Sequence, residues 1–399
     1  MIFLTAGEVS HKVGISVDTV RRWDKKGLIK SKRDIRNNRI FSLEEVERIY
    51  NRKNCDVTGN KFKILKNDKR SGFGVIELFA GAGGTALGME NAGIEHVILN
   101  EIDKNACNTL RKNKKDWIIA ECDVKELNFK NGQADIVQGG FPCQAFSYAG
   151  NKMGFADTRG TLFFEFARCI KQIKPKIIMG ENVRGLLNHD SGKTLKTMLV
   201  ALDELGYRVK YKVLRSQYFD VPQKRERLII IGVRKDLDLP IAFPVENDYI
   251  ISLKDAIGDY PESDGQKYPD KKKKILDLIP EGGYWRDLPE ELQKQYMGSS
   301  YYMGGGRTGM ARRLAWDEPS LTLTCSPAQK QTERCHPSET RPLNIREYAR
   351  IQTFPDDWEF CGSISQQYKQ IGNAVPVNLG YHIGNTIVKI LNKRIDENG

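Results

Sequence analysis

The run V-I-E-L-F-A-G-A-G-G, residues 75–84, decides the fold, because an apolar β-type stretch ends directly in a glycine-rich turn. A helical segment follows over 84–92 and stops at Gly93. A strand, a tight glycine turn and a helix in this order form the first crossover of a doubly wound sheet, where nucleotide-sized ligands bind. The residues predicted to line such a site here are Phe79, Ala80, Gly81 and Gly83.

Apolar strand-type runs alternate with helical segments through the following part of the chain. A second candidate helix covers 191–205. The candidate strands are 75–80, 96–101, 117–121, 134–138, 176–180, 208–215 and 227–233. This alternation predicts an α/β fold with a doubly wound, Rossmann-like sheet that is mainly parallel and covered by helices on both faces.

Acidic residues end the second and third candidate strands. Glu101 follows the glycine turn by about 20 residues, the position where a carboxylate accepts the hydroxyls of a ribose. Asp123 ends the third strand, where it would hold an adenine amino group. No lysine follows the glycines as it does in a triphosphate-binding loop. The pattern favours an adenosine without a triphosphate, although a glycine turn alone also serves to pack a helix closely.

A cysteine, a glutamate and two arginines follow later strands, at the carboxyl edge where the active sites of open α/β sheets lie. Cys143 stands in the loop G-G-F-P-C-Q-A-F-S (139–147) after the fourth strand, and Glu181 follows the fifth. The stretch P-Q-K-R-E-R (222–227) adds Arg225 and Arg227. An inert buried cysteine and a structural ion pair are the alternative interpretations of these residues.

Eight motifs in this order resemble the cytosine-C5 DNA methyltransferase family over residues 74–390. They are F-A-G-A-G-G, N-E-I-D (100–103), G-F-P-C-Q-A-F-S, D-T-R-G-T-L-F-F from Asp157, E-N-V, Q-K-R-E-R, R-P-L-N-I-R-E-Y-A-R-I-Q-T-F-P from Arg341, and Q-I-G-N-A-V-P from Gln370. The resemblance implies methyl transfer from S-adenosylmethionine to C5 of cytosine in duplex DNA, with the target nucleotide flipped out of the helix.

The resemblance also implies a role for each matching residue. The Cys143 thiolate would add to C6 of cytosine, Glu181 would hydrogen-bond or protonate N3, and Arg227, helped by Arg225, would bind O2. Gln144 and Ser147 would contact DNA. The implied cofactor residues are Phe79, Ala80, Gly81, Gly83, Glu101, Ile102, Asp123, Val124, Pro142, Leu162, Asn373 and Val375. At Ile102 this chain departs from many relatives, which carry an aromatic residue there.

The first 74 residues are strongly basic, with 18 Lys and Arg against 9 Asp and Glu, while the whole chain carries a net charge of +12. The sequence predicts helices at 5–13 and 16–26 around Gly14, a basic wing over 30–39, and a third helix that starts at the capping box 42–45. Thr19, Arg21 and Arg22 would face a DNA groove.

The stretches G-I-S-V-D-T-V-R-R-W-D-K-K-G-L-I (14–29) and N-N-R-I-F-S (37–42) resemble the helix-turn-helix of MerR-like and excisionase-like domains, which implies DNA binding. A three-helix packing module without a DNA contact is the alternative interpretation. We therefore predict five segments: a DNA-binding module (1–53), a linker (54–73), a catalytic domain (74–234), a target-recognition domain (235–340) and C-terminal motifs that return to the catalytic domain (341–399). In the recognition segment the basic runs 271–274 and 312–313 suit DNA phosphates.

Other classes of protein fit the sequence less well. Eight scattered cysteines without a zinc-type spacing predict reduced thiols and no metal. The chain has no apolar run of about 20 residues, so we predict no membrane span.

We expect a cytoplasmic enzyme, monomeric in catalysis, whose functional partner is a restriction endonuclease encoded nearby. The N-terminal module would repress transcription of its own gene, and the alternative role for it is to strengthen general DNA binding. The alternatives are a tRNA cytosine-C5 methyltransferase, a non-catalytic regulator that keeps the fold, and a dinucleotide-dependent oxidoreductase.

Overall fold

The computed structural model describes residues 3–13, 17, 20, 21, 24, 29, 31–34, 37–43, 46, 61–141, 162–303 and 307–393. The chain forms two compact units, Met1–Lys61 and Phe62–Gly399. Within the described ranges no helix is long and apolar enough to cross a membrane.

The first unit contains a three-stranded antiparallel sheet and one fully described helix. The elements are β1 (Phe3–Thr5), α1 (Ala6–Val13), β2 (Ser31–Arg33) and β3 (Arg39–Ser42), with β3 between β1 and β2. Thr5 and Glu8 form a capping box at the start of α1, with the Thr5 N–H donating to Glu8 Oε2 at 2.7 Å. The predicted first helix and wing are confirmed, while the second and third helices fall largely outside the described residues.

A seven-stranded sheet in the order β6-β5-β4-β7-β8-β11-β9 organises the second unit. Six strands run parallel, and β11 runs antiparallel to both of its neighbours. The strands are β4 (Gly74–Leu78), β5 (Glu95–Glu101), β6 (Ile119–Glu121), β7 (Ile136–Gly139), β8 (Ile177–Val183), β9 (Tyr207–Arg215), β10 (Gln223–Lys224), β11 (Glu226–Arg234) and β12 (Ser320–Leu321), of which β10 and β12 form a separate parallel pair. The doubly wound fold and all seven predicted strands are confirmed.

Helices cover both faces of this sheet because its side chains alternate between two apolar clusters. Ile76 and Leu78 of β4 face one cluster, while Val75 faces the other. The helices of the second unit are α2 (Gly84–Asn91), α3 (Lys104–Asn113), α4 (Leu162–Ile173), α5 (Lys193–Glu204), α6 (Leu253–Ile257), α7 (Asp270–Leu276), α8 (Glu290–Met297), α9 (Ile345–Ile351), α10 (Ile364–Asn373) and α11 (Val377–Leu391). Helices α4 and α5 contribute to the first cluster, and α2 and α11 to the second.

Two predicted boundaries differ from the structure. Residues 62–73, assigned to the linker, pack on the second unit, where Phe62 and Ile64 contact its core and the Leu65 N–H donates to Asn378 Oδ1 at 3.0 Å. Helix α5 begins at Lys193 rather than at Ser191, because Ser191 has a left-handed backbone with φ 53°.

Candidate active site

The turn after β4 reverses the chain through left-handed backbone. Phe79, Gly81 and Gly83 have φ values of 61°, 56° and 86°. A left-handed conformation costs a non-glycine residue about 1–2 kcal/mol, so the surrounding contacts must hold Phe79 in place. The Gly81 N–H donates to Glu101 Oε2 at 2.7 Å, and the Ala80 N–H donates to the Asn100 carbonyl at 2.9 Å. The glycine turn is therefore tied to the end of β5.

Glu101 organises the carboxyl end of β5. Its Oε1 accepts the N–H groups of Ile102 and Asp103, both at 2.8 Å. A carboxylate has about four acceptor positions, so capacity remains for a ligand hydroxyl. Ile102 is 68% exposed at this edge, an unusual position for a large aliphatic side chain. A flat apolar ring lying against it, such as an adenine, would remove that surface from water.

Asp123 begins the turn after β6. Its Oδ1 accepts the Lys125 N–H at 3.0 Å and caps a short 3₁₀ helix, Val124–Glu126. The Val124 side chain is buried. Arg168 of α4 donates to the carbonyls of Val124 and Leu127 at 2.8 and 2.9 Å, which fixes this turn to the body of the sheet. Leu162, the first residue of α4, packs against the same face.

The C-terminal segment lies directly against the glycine turn. A Cβ placed on Gly84 would lie 2.1 Å from the Val375 carbonyl oxygen, and one on Gly88 would lie 2.4 Å from the Val377 oxygen. Only glycine permits this approach of α2 to α11. Val375 is buried there, and Asn373 is exposed and accepts a hydrogen bond from Cys325 Sγ at 3.1 Å. The ends of the catalytic region therefore meet at one site.

Glu181 and Arg227 form an ion pair at the carboxyl edge of the sheet. Arg227 Nε lies 2.6 Å from Glu181 Oε1, and both side chains are nearly buried. The two residues lie diagonally across the neighbouring strands β8 and β11, where Glu181 is opposite Ile229 and Arg227 is opposite Val183. The other carboxyl oxygen of Glu181 lies 3.1 Å from the position of a Cβ on Gly140, so it faces the chain that leaves β7. An acid and a guanidinium are thus held beside Gly140, in the part of the predicted loop 139–147 that precedes Cys143.

Asn182 fixes the start of that loop. Its buried Nδ2 donates to the Phe141 carbonyl at 2.8 Å. Residues 142–161 lie outside the described part of the chain, and they include the predicted site residues Pro142, Cys143, Gln144 and Ser147. The three residues from Gly140 to Cys143 span at most about 11 Å. Sequence reasoning gave Asn182 no role, although a polar residue inside the apolar strand β8 was a usable signal.

Arg225 has a different environment from Arg227. It is almost fully buried and donates to the carbonyls of Leu323, Gly372 and Asn373 at 3.3, 3.0 and 3.4 Å. Burial, together with the positive charge of Arg227, lowers the pKa of Arg225 to about 9. The guanidinium of Arg225 therefore binds backbone carbonyls, whereas that of Arg227 pairs with Glu181.

Two basic side chains of the target-recognition domain bind polar groups of the protein, and Arg313 is buried while Lys272 is partly exposed. Arg313 donates to the carbonyls of Leu276 and Ile279, both at 2.7 Å. Lys272 of α7 pairs with the fully buried Glu333. The burial of Arg313 does not fit a contact with a DNA phosphate, and Lys272 pairs with a carboxylate beside the small core that contains Trp285.

Of the residues predicted to read DNA in the first unit, only Arg21 is described, and its side chain is exposed. Thr19 and Arg22 lie outside the described residues.

Six cysteines are described, none in a disulfide, and burial raises the pKa of Cys107, Cys122, Cys169 and Cys335. Low-pKa thiolate chemistry is therefore not expected of those four thiols.

Two family models match the chain. The model for C-5 cytosine-specific DNA methylase matches residues 73–389, and the model for MerR family regulatory proteins matches residues 5–41. Type II methyltransferase M.Eco47II of Escherichia coli is 55% identical over 97% of this chain and 95% of its own length. M.PspPI of Psychrobacter sp. (strain TA137) is 50% identical over 97% and 96%, and M.Sau96I of Staphylococcus aureus is 54% identical over 82% and 78%.

Solved structures share the fold at low sequence identity. A mutant of Spodoptera frugiperda DNMT2 aligns with a TM-score of 0.57 and 17% identity over 80% of this chain and 99% of its own. S. pombe Dnmt2 methyltransferase aligns with a TM-score of 0.52 and 18% identity, with the same coverage. These likenesses support the doubly wound architecture.

Proposed function

The chain belongs to the C-5 cytosine-specific DNA methylase family and depends on S-adenosylmethionine, and from this premise we propose that it methylates one duplex sequence through a covalent bond between Cys143 and cytosine C6. The observation that carries the proposal is the Glu181–Arg227 pair, 2.6 Å apart, at the sheet edge where the loop 142–161 begins. The residues around the glycine turn fit the cofactor, since Glu101 has acceptor capacity for a ribose and Ile102 offers an exposed apolar surface.

The reaction needs cytosine C5 to become a nucleophile. The Cys143 thiolate would form a bond to C6, and the electron pair of the C5–C6 double bond would move toward C5 and the N3–O2 system. Glu181 would hydrogen-bond N3, and Arg227 would bind O2, where negative charge develops. Bound S-adenosylmethionine supplies an electrophilic methyl group, which C5 accepts. A base then removes the C5 proton, and the Cys143–C6 bond breaks to restore the thiolate.

DNA that contains 5-fluorocytosine tests the covalent step, because the C5 fluorine cannot leave as the proton does and the adduct persists. The wild type with S-adenosylmethionine should give a protein–DNA complex that survives denaturing electrophoresis. Cys143→Ser should abolish it. Cys325→Ser should retain it, since Cys325 is an exposed thiol that could otherwise compete for this role. A complex that persists in Cys143→Ser would refute the assignment of the nucleophile.

For the first unit, we propose that it binds the promoter of its own gene and represses transcription. The match of residues 5–41 to MerR family regulatory proteins and the exposed Arg21 support this role. Footprinting with the full chain carrying Cys143→Ser would reveal a protected site upstream of the gene, without interference from methylation. If no site is protected in that region, the repressor role is wrong.

The names of the relatives place them in type II systems, and we propose that this chain is the modification half of such a system, monomeric and cytoplasmic. Its functional partner would be a restriction endonuclease encoded nearby. Bisulfite sequencing of DNA from cells that express the chain should show one methylated sequence, and that DNA should resist the neighbouring nuclease. Scattered methylation without a common sequence would contradict the proposal.

A further inference from the structure

Two fully buried glutamines lie in direct contact between Leu323 of the target-recognition domain and residues 371–374, which precede the predicted cofactor residue Val375. Gln223 of β10 and Gln352, the residue after α9, both have no exposed surface. Gln223 Nε2 donates to Gln352 Oε1 at 2.8 Å. Buried amides of this kind have one favourable orientation, because any rotation would leave donors and acceptors unpaired in a low dielectric.

At one end, Gln223 holds the recognition segment. Its Oε1 accepts the Leu323 N–H at 2.9 Å, and β10 pairs with β12, which aligns Gln223 with Ser320. The neighbouring Thr322 hydroxyl donates to the Lys224 carbonyl at 2.9 Å. Residues 320–323 are therefore bound to β10 through backbone and side-chain hydrogen bonds.

At the other end, Gln352 holds the segment that contains Asn373. Its Nε2 donates to the carbonyls of Ile371 and Ala374 at 2.7 and 3.0 Å. Arg225 donates to the two carbonyls between them, those of Gly372 and Asn373. Two buried side chains thus bind the four consecutive carbonyls at the C-terminal end of α10, where a helix leaves carbonyls without intrahelical partners.

We propose that Gln223 and Gln352 are positioning residues that couple target binding to cofactor binding, an inference that rests on the proposed function. DNA docked on the recognition segment would set the position of Leu323, and the Gln223–Gln352 contact would transmit it to residues 371–375. Cognate DNA would then tighten the cofactor site, and the cofactor would tighten DNA binding by the same factor, because coupling between two equilibria is reciprocal.

Gln223→Met separates this coupling from simple structural support. Methionine keeps the length and volume of the side chain but removes the bonds to Leu323 and Gln352. The bonds of Gln352 to Ile371 and Ala374 remain. Gln370→Met is the matched control, because Gln370 is also buried but bonds Thr109 and the Cys361 carbonyl instead.

The experiment measures the Kd of S-adenosylhomocysteine for the full chain by calorimetry, with and without an unmethylated plasmid that the wild type methylates. We expect the plasmid to tighten wild-type binding about tenfold, within the usual range for coupled sites. In Gln223→Met this factor should fall below about twofold, while the Kd without DNA stays within about threefold of wild type. Gln370→Met should keep the tenfold factor.

Retention of the full tightening in Gln223→Met, or its absence in a wild type that methylates the plasmid, would overturn the coupling. A wild type that transfers no methyl to any plasmid would instead refute the proposed function, and the coupling with it. If Gln223→Met does not fold, Gln223→Asn takes its place, because it keeps an uncharged amide in the buried position but is one methylene too short to keep the bond to Gln352. The same loss of tightening is expected.

Discussion

Replacement of Gly84 by alanine is expected to damage both stability and cofactor binding. Gly84 is the first residue of α2, and a Cβ there would lie 2.1 Å from the Val375 carbonyl oxygen and 3.2 Å from Ala374 Cβ. The nearest neighbour is backbone, which cannot rotate away as a side chain can. The added methyl group must therefore push the start of α2 away from the segment that precedes α11.

The size of the effect follows from this overlap. Ordinary van der Waals contact begins near 3.4 Å, so the backbone must move by about 1.3 Å. Overpacking of this kind costs about 1–3 kcal/mol, and the better helix propensity of alanine offsets at most about 1 kcal/mol of it. Because Val375 is proposed to line the cofactor site, we expect the affinity for S-adenosylhomocysteine to fall about tenfold, equivalent to about 1.4 kcal/mol.

Thermal unfolding and calorimetric titration with S-adenosylhomocysteine measure the two effects. Gly185→Ala is the matched control, since the nearest atom to a Cβ there is Val183 Cγ2 at 3.9 Å. We expect this control to match the wild type in both assays. If Gly84→Ala unfolds and binds like Gly185→Ala, the close approach of the two ends of the catalytic region has no energetic importance and the reasoning fails.

Three further substitutions have defined outcomes. Arg227→Lys should lower kcat about 100-fold at saturating DNA, because a planar donor group is lost from the Glu181–Arg227 pair. The control is Arg184→Lys, in an exposed ion pair with Glu226, and its kcat should stay within about threefold of wild type. Arg168→Ala removes the hydrogen bonds to the Val124 and Leu127 carbonyls and should raise KM for S-adenosylmethionine about tenfold, with kcat within about twofold of wild type. A tenfold fall in kcat as well would contradict a positioning role at this turn. Burial raises the pKa of Glu77 well above its usual value, so the folded state loses stability as pH rises from the usual carboxyl pKa through the raised one. Glu77→Gln should therefore be more stable than wild type at pH 9 and similar at pH 4 in urea unfolding, and an equal difference at both pH values would refute the assignment.

The strands of the sheet could be predicted from the sequence because the apolar runs that mark them are local features. Each apolar run became a strand within a few residues of the predicted bounds, since strands buried on both faces need continuous apolar stretches. The start of α5 was missed because Asp190 and Ser191 adopt left-handed backbone before Gly192, a conformation that is uncommon for serine. Such conformations are imposed by the surrounding fold and leave no local pattern.

The candidate site was predictable in its residue types but not in their contacts. Arg225 and Arg227 are two residues apart, yet only the structure distinguishes the arginine that pairs with Glu181 from the one that binds carbonyls about 100 and 150 residues away. The burial of Arg313 could not be predicted for the same reason, since its acceptors come from distant loops. A sequence shows that a cation is present, but its burial depends on contacts that span the whole unit.

Transfer of labelled methyl groups tests the central claim most directly. Wild type and Cys143→Ser would be incubated with labelled S-adenosylmethionine and either unmethylated duplex DNA or tRNA, and the products would be digested to nucleosides. We expect label as 5-methylcytosine in the DNA alone, and none with Cys143→Ser. Label in tRNA rather than DNA, or undiminished label in DNA with Cys143→Ser, would contradict the proposed substrate or the proposed nucleophile.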